Sequence, residues 1–85
     1  MSFADLIDKG FEIRDGKFYE RNGGYTGFYI QEAAWVKGEY RICGDYSAGD
    51  YTIKTEQWSN NWYLYRGYSQ VCRLNHRGGE NWTNY

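Results

Sequence analysis

Apolar side chains recur at every second position in short runs, and Gly or Asn breaks the pattern after each run. A period of two belongs to strands whose alternate side chains face opposite ways, so the chain is expected to consist of short strands joined by tight turns. The clearest case is Phe11-Glu12-Ile13-Arg14 and Lys17-Phe18-Tyr19-Glu20 on either side of Asp15-Gly16. Asp-Gly between alternating runs predicts a two-residue hairpin, because both turn residues tolerate positive φ. That register pairs Ile13 with Phe18 on an inward face and Glu12 with Tyr19 on the other. It also opposes two like charges, Arg14 and Lys17, which argues slightly against it.

Further alternating runs cover 25–31, 39–43, 51–57 and 62–68, with turns at Asn22-Gly23-Gly24, 44–50 and Ser59-Asn60-Asn61. The stretch 32–37 is expected to be an irregular connection ended by Gly38. Residues 70–74 extend the preceding strand past a bulge at Gly67 or form a seventh strand. Residues 76–85, rich in Gly and Asn, read as a candidate flexible tail or closing loop. Ahead of the first strand, Ser2 can cap a short helix with Asp5 in its first turn, Phe3, Leu6 and Ile7 at helical spacing, and Gly10 as its stop. With no proline in the chain, the turns rely on Gly and Asn. The expected fold is all-β: an antiparallel sheet, sandwich or small barrel of five to seven short strands with one short N-terminal helix, in a single domain spanning 1–85.

Leu, Ile, Val and Phe supply only 14 of the 85 residues, yet the net charge is −1, so the combination that marks disorder is missing. Ten Tyr and four Trp replace the missing aliphatic bulk, and the core is expected to be aromatic. Ten basic residues against eleven acidic ones create no long-range field, which excludes duplex DNA and anionic lipid as partners. No apolar run reaches the roughly 18–20 residues of a spanning helix, and residues 1–9 lack a signal peptide's basic and apolar regions. The expectation is a soluble, cytoplasmic protein with no membrane partner, in which Cys43 and Cys72 are free thiols.

The only histidine, His76, follows Cys72 by four residues and could activate its thiolate. The sequence offers neither an orienting third group nor an oxyanion hole, so no catalytic residues, and no enzyme, are expected. Cys43, Cys72 and His76 lack zinc-site spacing, and no cofactor is expected. Asp45 and Asp50 bracket a glycine-containing loop and are the candidate metal ligands, for calcium, although both also serve as turn formers.

The segment Lys17-Phe18-Tyr19-Glu20-Arg21-Asn22-Gly23-Gly24-Tyr25-Thr26-Gly27 resembles the opening of a βγ-crystallin Greek key, in which two aromatics, a carboxylate and a glycine shape a folded hairpin. Gly44-Asp45-Tyr46 and the 62–68 run are similar to later parts of that pattern. The resemblance implies Greek-key strand order and calcium sites. The interval from Tyr19 to Gly27 is one residue longer than in that family, Gln70 stands where a second motif has glycine, and Lys54 stands where the family's calcium sites have a hydroxyl.

With Phe18, Phe28, Ile30, Tyr40, Ile42, Tyr51, Ile53, Trp62 and Leu64 facing inward, Tyr19, Tyr29, Trp58, Tyr63 and Tyr65 fall outside among Arg21, Arg41, Lys54 and Arg66. Aromatics mixed with arginine are the composition of interface hot spots. Tyr29, Trp58, Tyr63, Tyr65 and Arg66 are therefore the candidate partner-binding residues. The competing reading is a covered face that forms a second small core. Such a face can grip a protein, stack single-stranded bases, or stack sugar rings with Asn60, Asn61 and Asn81 bonding the hydroxyls. Near-neutral charge argues against bases, and the absent signal peptide against sugars. The expectation is a small non-enzymatic binding protein with a protein partner, in its narrowest form a phage or mobile-element inhibitor of a host protein. A carbohydrate-binding or βγ-crystallin-like module and a single-stranded nucleic-acid binder are the alternatives.

Overall fold

In the computed structural model, which describes residues 1–79 and 81–84, Asp15 and Gly16 take φ of 53° and 75° and join β1 (Phe11–Arg14) to β2 (Lys17–Glu20). Two successive positive φ values give the turn whose twist matches its strands. The pairs are Ile13 with Phe18 and Glu12 with Tyr19, as expected, and Arg14 does oppose Lys17. That repulsion is relieved because the Arg14 guanidinium lies 3.9 Å from the Tyr19 ring centre and 4.0 Å from Glu12.

The chain continues through β3 (Tyr25–Glu32), β4 (Tyr40–Cys43), β5 (Tyr51–Thr55), β6 (Trp62–Arg66), β7 (Ser69–His76) and β8 (Trp82–Thr83). Each strand pairs antiparallel with the one before it. β8 returns beside β1, where the Asn84 amide donates to the Phe11 carbonyl at 2.7 Å. The result is a nearly closed eight-stranded barrel.

Three expectations are corrected. Among the described residues there are eight strands, not five to seven; of the two readings of 70–74 the separate seventh strand holds, and the bulge falls at Leu64/Tyr65 while Gly67 (φ 61°) sits in the turn. Of the stretch 76–85, read as a candidate flexible tail or closing loop, the described residues supply the end of β7 and all of β8 and so close the barrel, with Trp82 only 2 % exposed; Glu80 and Tyr85 lie outside the described residues. The strand order is a plain meander, so the implied Greek key, which needs a strand returning beside the first of four, is not present among these strands.

The core is aromatic and aliphatic in equal measure, built on Phe3, Phe11, Phe18, Phe28, Tyr51 and Trp82 with Leu6, Ile13, Ile42, Ile53, Leu64 and Leu74. Helix α1 (Phe3–Lys9) starts with a capping box in which Ser2 Oγ accepts from the Asp5 N–H and the Asp5 carboxylate accepts from the Ser2 N–H. It seals one end of the barrel. Phe3 stands edge-on to Phe18, Phe28 and Tyr51 at 5.1, 5.0 and 4.8 Å, and its N–H donates to Ser47 Oγ at 3.1 Å, tying the helix to the 3₁₀ turn Tyr46–Ala48. Below that turn Gly44, at φ 135°, packs so closely that a Cβ would sit 2.5 Å from the Gly27 carbonyl, which only glycine tolerates. At the opposite end Tyr40, Trp62, His76 and Trp82 close the mouth.

Candidate functional site

β4, β5, β6 and β7 contain no Asp or Glu. The charge balance of the whole chain therefore hides a segregation, with every described acidic residue on the helix, on β1 to β3 or in loops. Register brings the outward residues of the four strands side by side. Arg41 opposes Thr52, Thr52 opposes Tyr65, Lys54 opposes Tyr63, and Tyr63 opposes Arg73. Alternation keeps Ile42, Ile53 and Leu64 in the core, so the polar and aromatic set is forced outward.

Cations and rings support one another across this surface. Lys54 Nζ lies 5.0 Å from the Tyr65 ring centre, and the Arg41 guanidinium lies 5.3 Å from that of Trp35, folding the exposed tryptophan of the 33–39 loop against the same wall. Each such contact contributes about 0.5–1 kcal/mol when exposed. A hydrogen-bond network runs beneath. Glu56 accepts from Tyr63, from Ser59 Oγ at 3.1 Å and from Gln70 Nε2 at 3.4 Å, and Gln70 also donates to Tyr65 Oη at 3.1 Å. The bond from Tyr63 is the main reason the Glu56 carboxyl is held below the usual carboxylate range, and the same bond, helped by burial, pushes the Tyr63 phenol up. Arg73 donates to Asn61 Oδ1 at 3.0 Å.

Of the five residues expected to form a binding face, Tyr63 and Tyr65 lie on this wall. Trp58 stands 88 % exposed in the loop between β5 and β6. Tyr63 is half-buried within the network. Tyr65 occupies its outward position, but at 8 % exposure it lies under Lys54 and Gln70, so this one residue behaves as the second small core anticipated in the competing reading. Tyr29 is on β3 opposite Cys43, with β4 and β5 between it and Tyr63. Arg66 lies at the helix end of the barrel, 5.7 Å from the ring centre of the core residue Tyr51. Sequence reasoning overlooked Arg73, Gln70, Glu56 and the part Asn61 plays. The alternation of Arg73 with Leu74 was the available signal.

Asp45 is engaged locally, its carboxyl held low by the Ser47 hydroxyl first and by the Ser47 N–H second, from which it accepts at 2.6 Å; this caps the 3₁₀ turn. The loop closes through the Asp50 carbonyl, which accepts from Gly67. Among the described residues no three His, Cys, Asp or Glu side chains gather as a cation site. Cys43 and Cys72 are unpaired thiols. Burial pushes the Cys72 thiol up, the opposite of activation, and four residues of strand put His76 about 13 Å further along. His76 instead stacks on Trp82, ring centres 3.9 Å apart and planes within 4°, with Nε2 donating to the Gly79 carbonyl at 2.9 Å.

Shallow clefts surround the mouth. One of about 290 Å³ lies between the ends of β6 and β7 and takes in Asn60, Asn61, Trp62, Arg73, His76 and Arg77. Another, of about 360 Å³, holds Arg14, Arg77, Asn81 and Trp82. No helix among the described residues is long and apolar enough to cross a membrane. Comparison of the chain with protein families, characterised proteins and solved structures finds no match.

Proposed function

We propose that this chain is a non-catalytic binding domain that grips a protein partner through the outer wall of β4 to β7, with Trp58 and Tyr63 as its aromatic contacts and Arg41, Lys54 and Arg73 around them. The observation that carries the reading is the acid-free run of four adjacent strands presenting rings and cations together, the composition of protein hot spots. Stacking of bases is less well supported. It calls for free ring faces, whereas Tyr65 is covered and Tyr63 is tied to a carboxylate. A domain that binds without chemistry acts by occupying its partner's surface, and the inhibitor of a host protein expected from the sequence is the narrowest form of this proposal.

The test is capture from a nuclease-treated bacterial lysate with the wild type and with Trp58→Ala combined with Tyr63→Ala. The expected result is a protein that survives nuclease and is lost with the double variant. Recovery that disappears with nuclease, or capture indifferent to the variant, would overturn the reading.

A further inference from the structure

We infer that the cleft between the ends of β6 and β7 receives an acidic side chain of the partner. The inference rests on the binding reading above and names the chemistry of its anchor. The cleft, about 290 Å³, presents the guanidinium-bearing residues Arg73 and Arg77, the amides of Asn60 and Asn61, and the rings of Trp62 and His76, and none of its described lining residues is Asp or Glu. It is continuous with the binding wall, because Arg73 belongs to both and stands directly across from Tyr63.

Arg73 is oriented by an amide rather than tied into an ion pair. It donates to the neutral Asn61 amide oxygen, which uses one of the five N–H donors of a guanidinium, and Glu56, which it attracts without forming an ion pair, accepts from Tyr63, Ser59 and Gln70 instead. Neither Arg73 nor Arg77 forms an ion pair with another described residue. Two guanidinium groups, oriented amides and no carboxylate among the described lining residues make a site complementary to a carboxylate, which arginine binds in a bidentate fork. Trp58, in the same loop between β5 and β6 as Asn60 and Asn61, is 88 % exposed, and an exposed aromatic paired with a charged anchor is what protein hot spots use.

The probe is a hexaglutamate peptide titrated into the full chain at low and raised salt, followed by backbone amide shifts. The wild type is expected to bind saturably, with shifts centred on Asn61, Arg73 and Arg77, and more weakly as salt rises. Arg73→Gln and Arg77→Gln should each weaken binding about tenfold, as loss of one charge-assisted hydrogen bond does. Lys9→Gln, at the far end of the barrel, should leave it unchanged, and hexaglutamine should not bind. Circular dichroism checks that each variant folds; Arg73→Lys and Arg77→Lys, which keep the charge and lose the fork, provide a second pair and should bind between wild type and the Gln variants. No hexaglutamate binding at low salt, binding indifferent to both arginines, or preferential binding of inorganic phosphate or oligothymidylate there would overturn the inference. The two readings separate in the capture experiment. Arginine variants that still capture the partner while the Trp58 and Tyr63 double variant does not sink this inference alone, and capture that survives both sinks the binding reading too.

Discussion

At one end of the barrel a seven-residue helix lays Phe3 edge-on against Phe18, Phe28 and Tyr51. At the other, Tyr40, Trp62, His76 and Trp82 meet from four different strands, mostly edge-on with ring centres 5.0–5.6 Å apart. The helix end is sealed by a unit that is locally specified, since its capping box and its apolar spacing lie within a few residues of one another. The mouth is sealed only when residues far apart in sequence arrive together, and its last component, Trp82, sits on a two-residue strand. The comparison teaches that one aromatic core can be closed by local order at one end and by long-range order at the other. The proposed binding wall and cleft adjoin the long-range end.

Several substitutions can break or sharpen this contrast. The largest effect is expected from Trp82→Ala, which removes a fully buried ring in contact with Tyr40, Trp62 and His76 and should cost roughly 3–5 kcal/mol, much of the stability a small domain has. Urea unfolding measures it; a loss under about 1 kcal/mol would mean that β8 is not needed for closure. Phe3→Ala should cost about 3 kcal/mol, toward the lower end because the helix can undock as a unit. Far-ultraviolet circular dichroism should then lose its helical part before its sheet part, and simultaneous loss would show the two ends to be one cooperative unit. Milder changes test the same point quantitatively: Phe3→Leu and Trp82→Phe share no contacts and should be additive within about 0.5 kcal/mol.

Next in size is the contrast between two aromatics of the binding wall. Tyr65→Ala should cost about 2–3 kcal/mol because its ring is covered, and Trp58→Ala should change stability by no more than about 0.5 kcal/mol. Equal costs would remove the distinction between a supporting ring and a contact ring.

The smallest expected effect concerns pH. Ionised Glu56 is favoured in the fold by the bond from Tyr63, so its contribution is present above the ordinary carboxylate range near 4 and is lost as pH falls through and below it. The raised Tyr63 phenol works in the opposite sense, its contribution present below about 10 and lost as pH rises through the elevated folded value. Glu56→Gln should therefore bring the Tyr63 titration, followed by phenolate absorbance, down toward that of a free tyrosine. An unchanged titration would show that burial rather than Glu56 holds the phenol up.

Much of the wall could be read from the sequence, since the outward positions of Arg41, Lys54, Tyr63 and Tyr65 follow from alternation alone. Its charge could not be inferred from a whole-chain balance. Near-neutrality suggested that no surface carries a dominant sign, yet the absence of acids from 40–43, 51–55, 62–66 and 69–76 becomes a surface property only once those strands are adjacent. Tyr29 was grouped with Tyr63 because both point outward, and two intervening strands separate them. Arg66 was placed with Tyr65 by proximity in the chain, whereas the barrel's end puts it over Tyr51.

What the sequence alone determined is what short-range stereochemistry can encode. Asp15-Gly16 dictated a hairpin and its register because few residues accept two successive positive φ angles, and Ser2 with Asp5 dictated a helix start because orphan N–H groups at a helix N-terminus need acceptors. The period of two dictated strands and their inward faces. The tertiary structure decided what depends on neighbours distant in the chain: that Trp82 and Thr83 close the barrel rather than trailing from it, that Tyr65 is covered while Trp58 is not, and that Arg73 and Arg77 line one cleft. Exposure and charge environment are set by which strand lies beside which, and strand order is a property of the packed barrel rather than of any one of its segments.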